Sequence, residues 1–238
     1  MSKPASLLLR AGLLAVLFPT VSRANYIELL ESTLPPVPCH TVSGNATPPG
    51  KIVGLSNLEI AAVKYYQQGG AHLVNPLLRG TLDRTLTPER TAEVERVVSG
   101  LTSLTEKSAV EGGTYYRAMR LLSIDPYYGN PHTIAMPQIG VPWVERGFMS
   151  TSTAVEYPAL MIASFQAKDT AALKVLWKIR VPDRRPNGEP WRAIAVDRIS
   201  DWGQKEFIFP PGTTLLPEAI VASAVDPRVF EITASILP

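Results

Sequence analysis

The glycine pair Gly112-Gly113 divides this chain into two kinds of periodicity. Before it, Ser56-Asn57-Leu58-Glu59 is a capping box, in which a hydroxyl and a carboxylate satisfy free amides at a helix start. The helix it opens is expected to run to Gln68 and to stop at Gly69-Gly70. A second, short helical piece carries Leu73, Val74, Leu77 and Leu78 with Pro76 near its start, and Pro88 opens an amphipathic helix toward Leu104. After the glycines come short strands: Thr114 to Leu121, Gly147 to Ser152, Leu173 to Val181, Arg192 to Val196, Glu206 to Phe209 and Phe230 to Ala234. Helices first and strands later specify an α+β domain, not alternating βαβ units. Without an internal repeat, a heptad or a GxGxxG loop, a Rossmann mode of dinucleotide binding has no support.

The domain is expected to span residues 51–238. Residues 25–50, with Leu34-Pro35-Pro36-Val37-Pro38 and Pro48-Pro49-Gly50, read as a Pro-rich linker or a strap. Residues 1–24 read as a Sec-type signal peptide: basic residues, an apolar run from Ala11 to Phe18, and Ser22-Arg23-Ala24 where signal peptidase needs small side chains, with cleavage after Ala24. The alternatives for this stretch are an amphipathic N-terminal helix or a type III secretion leader. Its apolar run is too short to span a bilayer, so no transmembrane anchor is expected. The formal charge of +2 owes much to Lys3, Arg10 and Arg23; removing these three leaves 20 Lys+Arg against 21 Asp+Glu. No basic cluster of the kind that grips nucleic acid stands out. Cys39 is the single cysteine, which excludes an internal disulfide, and His40, His72 and His132 are too scattered to suggest a metal site, so no metal is expected.

Three segments carry candidate chemistry: Tyr115-Tyr116-Arg117-Ala118, Gly147-Phe148-Met149-Ser150-Thr151-Ser152, and Ser200-Asp201-Trp202-Gly203-Gln204-Lys205-Glu206-Phe207-Ile208-Phe209-Pro210. Each alone is ordinary: a strand arginine, a Ser/Thr turn, an edge glutamate. In this order, each on or beginning a strand, they resemble the R-S-E class of bacterial mono-ADP-ribosyltransferase toxins. The likeness extends to Leu58–Gly80, which is similar to that family's A-x-x-x-Y helix and I-N-x-x-L-R-G segment through Val74-Asn75-Pro76-Leu77-Leu78-Arg79-Gly80. It also takes in Phe207-Ile208-Phe209-Pro210-Pro211-Gly212-Thr213 and a closing strand within Val225 to Ala234, and so covers about residues 51–235. Two positions depart from the family pattern. Ala118 stands where a glycine is usual, and Asp201 stands where an aromatic is frequent, with Trp202 one residue later.

The resemblance implies an ADP-ribosyltransferase-like fold: N-terminal helices followed by two packed, mainly antiparallel β-sheets around an NAD cleft. It implies a secreted toxin or virulence effector that uses NAD as co-substrate and acts on a host protein. Arg117, Ser150 and Glu206 would form the catalytic set. Ala118, Tyr66, Asn75, Thr151 and Ser152 would join Arg117 in binding NAD, the Ala118 backbone at the nicotinamide amide and Tyr66 and Asn75 on the adenosine side. The residue types suit that chemistry. Cleaving the nicotinamide–ribose bond passes through an oxocarbenium-like state, which needs a carboxylate near the sugar and a cation on the diphosphate. Glu206 supplies the first and Arg117, with a guanidinium fork matched to phosphate oxygens, the second. Ser150 would hold Glu206 by hydrogen bonding. Gln204 and Trp202 would orient the acceptor; a neutral amide at Gln204 cannot pair with a guanidinium, which disfavours arginine as acceptor. Two other readings of the same residues are an NAD glycohydrolase and a catalytically dead binding module of this fold.

Overall fold

The capping box does what its spacing requires. In the computed structural model, which describes residues 54–82, 86–124, 131–133, 136–168, 173–199, 205–224 and 226–238, the Ser56 side chain accepts from the Glu59 amide and the Glu59 side chain from the Ser56 amide. Helix α1 (Asn57–Tyr65) follows. It does not stop cleanly at the glycines. Residues Tyr66–Gly70 form a loosely wound, kinked turn, with Gln68 and Gly69 off helical angles and Gly69 at φ 102°, a conformation that suits a residue without a Cβ. Helix α2 (Ala71–Arg79) resumes at once, so Pro76 lies in its interior and not near its start, and Gly80 closes it in the left-handed conformation. Helix α3 (Pro88–Lys107) has Thr87 as N-cap, proline in its first turn, and one turn more than the sequence pattern suggested. The expected signal (1–24) and strap (25–50), with Cys39 and His40, lie outside the described residues, as do Trp202 and Gln204. Among the described residues no helix is long and apolar enough to cross a membrane.

The strands are β1 (Gly113–Arg120), β2 (Leu122–Ile124), β3 (Pro131–Thr133), β4 (Trp143–Glu145), β5 (Met149–Ser152), β6 (Lys174–Val181), β7 (Ile194–Ala195), β8 (Glu206–Phe209), β9 (Thr213–Ala222) and β10 (Val229–Leu237), with helix α4 (Glu156–Lys168) between β5 and β6. The small hairpin β2–β3 stands apart. The rest connect in the order β4-β9-β10-β6-β1-β5-β8-β7, all antiparallel except β10 with β6. The link between β1 and β5 is a single registered pair, Tyr116↔Ser152. At that pair the strands divide into a five-stranded sheet ending at β1 and a three-stranded sheet beginning at β5.

Alternation along the strands turns this division into layers. Tyr115 and Met119 of β1 and Val175, Trp177, Ile179 and Val181 of β6 share one core with Met149 and Phe209, which project from the three-stranded sheet. The opposite face of that sheet, with Phe148, Ile194 and Ile208, packs against Ala62, Val63, Tyr66, Leu73, Val74, Val97 and Leu101 of the helices in a second core. The order is therefore sheet, core, sheet, core, helices, with α4 packed against β1 and β6. This is the two-sheet α+β arrangement expected from the sequence.

Candidate active site

The divided sheet makes a cleft because the β1–β5 ladder stops after one pair. Continuing the register would set Arg117 opposite Thr151 and Ala118 opposite Ser150. Instead these four residues line a cavity of about 310 Å³, joined by Tyr66, Gln67 and Asn75 from the helical side, by Ser152 and Glu206, and by Tyr157, Pro158 and Met161 from α4. All of the expected site residues that the structure describes thus meet at one place.

Glu206 begins β8 and is held at both oxygens. Ser150 Oγ donates to Oε1 at 2.5 Å, and Gln67 Nε2 donates to Oε2 at 3.1 Å. The Ser150 contact is a same-face diagonal across the ladder, since Ser150 registers with Ile208 and Ser152 with Glu206. Burial pushes the Glu206 carboxyl up, and the nearby Asp197 adds to this; the bonds from Ser150 and Gln67 oppose it, and the net direction is upward. The residue before it, Lys205, has φ 48°, the left-handed region. Its amide donates to Asp197 Oδ2 at 2.8 Å and its carbonyl accepts from the Thr153 amide at 3.3 Å, two bonds that hold an unfavourable backbone angle in place.

Arg117 lies on β1 opposite Trp177 of β6, on the face it shares with Tyr115 and Met119. A guanidinium buried there needs a counter-charge. Glu145, at the end of β4 and 1% exposed, provides it: Arg117 Nη2 donates to Oε2 at 2.7 Å. Arg79, from the end of α2, donates to the same carboxylate through Nε and Nη2, both at 2.9 Å, and the Gly147 amide adds a fourth bond at 2.9 Å. Burial would push the Glu145 carboxyl up, but Arg117, Arg79 and the amide overrule it and hold it below the ordinary carboxylate value. Burial draws the Arg117 guanidinium down, against the pull of Glu145. Arg117 Nη1 is buried with no hydrogen-bond partner among the described residues. The cluster carries two cations and one anion, so its net charge is positive, and Arg117 is the member that lines the cleft.

Tyr66 and Asn75 form a brace. Asn75 Nδ2 donates to the Tyr66 hydroxyl at 2.9 Å, Tyr66 donates to the Phe148 carbonyl at 3.1 Å, and the Phe148 amide donates to Asn75 Oδ1 at 2.8 Å. Burial pushes the Tyr66 hydroxyl up to about 12, so it stays a donor. Gly147 is needed here, since a Cβ would sit 2.7 Å from Asn75 Oδ1. Thr151 Oγ1 donates to the Phe207 carbonyl at 3.0 Å and Ser152 Oγ accepts from the Ala154 amide at 3.0 Å, so both hydroxyls stiffen the cleft floor. Ala118 lies in regular strand, paired with Leu176, where a Cβ meets no backbone penalty.

Glu145, Gln67 and the α4 residues were not anticipated from sequence. Arg79 belongs to a motif legible in the sequence, but nothing local shows its task. The one signal for Glu145 was an acid among apolar residues (Val141-Pro142-Trp143-Val144-Glu145), which by itself does not tell a buried carboxylate from an exposed one.

No protein-family model matches the sequence, and no curated protein matches it. Solved structures match by fold. The ADP-ribosyltransferase Vis from Vibrio splendidus, solved in complex with agmatine, has a TM-score of 0.57 at 17% identity, over 79% of this chain and 78% of that one. The Clostridium limosum C3 exoenzyme gives 0.52 at 20% identity, over 78% and 87%. The C3stau2 protein of S. aureus, solved with NAD, gives 0.50 at 17% identity, over 76% and 87%. At these identities the likeness is one of architecture: this chain has the ADP-ribosyltransferase fold.

Proposed function

We propose that this protein is an NAD-dependent mono-ADP-ribosyltransferase of the R-S-E type, a toxin or effector that modifies a host protein at a residue other than arginine. The observation that carries the reading is the Ser150–Glu206 bond of 2.5 Å in a cleft that Arg117 also lines. NAD is the co-substrate. Its diphosphate is matched by the net positive Arg79–Glu145–Arg117 cluster, whose Arg117 lines the cleft and has a donor, Nη1, with no partner among the described residues. Beyond Tyr116 the β5 side of β1 has no registered partner strand, and the backbone there, at Ala118, is proposed to meet the nicotinamide amide.

In this reading Glu206 accepts a hydrogen bond from the nicotinamide-ribose hydroxyl and faces the positive charge that develops as the glycosidic bond breaks. Ser150 keeps the carboxylate aimed. The acceptor then attacks the sugar carbon vacated by nicotinamide, oriented by Gln204 and Trp202. Tyr66 and Asn75 work through the brace and set the helical wall on the adenosine side. Export precedes all this, by cleavage after Ala24 or by a type III route, and N-terminal sequencing of the secreted chain separates the two.

Incubation with labelled NAD and host lysate tests the function. Label in a protein band is the expected result, and mass spectrometry of that band identifies the acceptor residue. Free ADP-ribose alone would replace the transferase with a glycohydrolase using water, and neither product would leave a binding module.

A further inference from the structure

The catalytic carboxylate of the proposed reaction has two partners, and only one of them belongs to the motif that suggested it. Ser150 holds Oε1 from within the sheet. Oε2 is held from another layer of the molecule, by Gln67 on the loosely wound turn Tyr66–Gly70. A carboxylate bonded at one oxygen can still rotate about its last side-chain torsion, which has a broad well; donors at both oxygens fix its plane. The turn is suited to this. It is the kink between helices α1 and α2, where Gln68 and Gly69 leave helical angles, and it carries Gln67 out of the regular helical course. The neighbouring Tyr66 is pinned by Asn75 and Phe148, so the turn is anchored while Gln67 lines the cleft.

We propose that Gln67 is a positioning residue of the transfer reaction, its side-chain amide orienting the Glu206 carboxylate through Oε2 while leaving that oxygen a second lone pair for the nicotinamide-ribose hydroxyl. The inference rests on the function proposed above. It accounts for part of what favours the charged form of a carboxylate that burial pushes toward the neutral one. Asp197, on the 3-10 turn Val196–Arg198, opposes ionisation, and burial opposes it more strongly. Tyr66 is neutral, and Arg117 and His72 line the same cleft. Lys205 adjoins Glu206 in the chain, and its backbone is held by Asp197 and Thr153. The two hydrogen bonds are the local forces favouring the charge, and Gln67 supplies one of them.

The test uses the full chain and two variants of opposite sign. Gln67→Leu keeps the length and removes the donor; Gln67→Lys replaces a neutral donor with a charged one. The side-chain carboxyl carbon of Glu206, assigned as the resonance lost in Glu206→Gln, is titrated by NMR without substrate. The midpoint should rise by roughly half a unit to one unit in the Leu variant and fall below wild type in the Lys variant. The acid limb of NAD cleavage should move the same way, with kcat lower by about tenfold in the Leu variant and KM within about twofold. A purely structural glutamine would not shift the two midpoints in opposite directions. Equal midpoints in all three proteins, or a raised KM with unchanged kcat, would overturn the role of Gln67 while leaving wild-type activity as evidence for the enzyme. A wild-type chain that does not cleave NAD would remove the reaction and the inference together.

Discussion

Replacing Glu145 by glutamine asks how much the protein depends on one buried negative charge. The side chain is 1% exposed and bridges Arg117, 9% exposed, to Arg79, 16% exposed. Glutamine keeps the shape, yet its amide group must face at least one guanidinium donor with another donor, and the cluster's net charge rises from one positive to two. Removing one partner of a buried ion pair typically costs 3–5 kcal/mol. Arg79 can recover some hydration through its exposed portion, so we take about 3 kcal/mol, the lower end of that range. For a unit the size of Ser43–Pro238 this lowers Tm by roughly 6–12 °C. The pH dependence gives an independent check. The Glu145 carboxyl is held below its ordinary value, so its contribution is present above the unfolded-state value and is lost as pH falls through the folded one. The gap between wild type and Glu145→Gln should therefore be widest near neutrality and should close below about pH 4. Calorimetry or circular dichroism across this range measures it. A variant melting within about 1 °C of wild type at pH 7, or a gap indifferent to pH, would refute the idea that charge in this cluster holds the arginines.

Four further outcomes can be measured. Glu206→Gln should slow NAD cleavage by about a hundredfold or more with little change in NAD affinity, read by steady-state kinetics and calorimetric titration. Because burial holds the Glu206 carboxyl above its ordinary value, its stabilising contribution is present below the unfolded-state value and is lost as pH rises through the folded one; relative to wild type, Glu206→Gln should gain thermal stability as pH rises above about 4, the unfolded-state value. Gln204→Ala should reduce labelling of the protein acceptor far more than it reduces NAD hydrolysis; equal loss of both would remove Gln204 from the task of orienting the acceptor. Gly147→Ala brings a Cβ within 2.7 Å of Asn75 Oδ1, so Asn75 must give up the Phe148 amide, at about 1–3 kcal/mol by denaturant unfolding.

What could be read from the chain was whatever is encoded locally. The capping box at Ser56 and the boundaries of β8 agree with the sequence reading because both depend on neighbouring residues. Helix α4 was missed: Pro158 falls in its first turn and its apolar residues surround the axis, so no helical stripe shows. Strand β9 was missed because Leu215-Leu216-Pro217-Glu218-Ala219 is rich in helix formers and contains a proline. The register shift opposite it, between Thr233 and Ala234, is how the ladder accommodates Pro217. The site divides the same way. Arg117, Ser150 and Glu206 belong to local motifs. Gln67 acquires its meaning from a partner 139 residues away, and Glu145 from arginines 66 and 28 residues away, distances at which periodicity is silent.

Strand β8 is covered on both faces. Phe209 enters one core and Ile208 the other, and both are essentially inaccessible to water. Opening the helical layer alone uncovers one face and leaves the ladder with β5 intact, while opening the larger sheet uncovers the other. Amide hydrogen exchange should therefore find the β5–β8 ladder among the slowest sites in the protein, with helix α1 and the Tyr66–Gly70 turn exchanging through smaller, separate openings. The carboxylate proposed to act on the sugar is mounted on the part of the molecule expected to breathe least, and the turn that carries its second donor opens independently of that ladder.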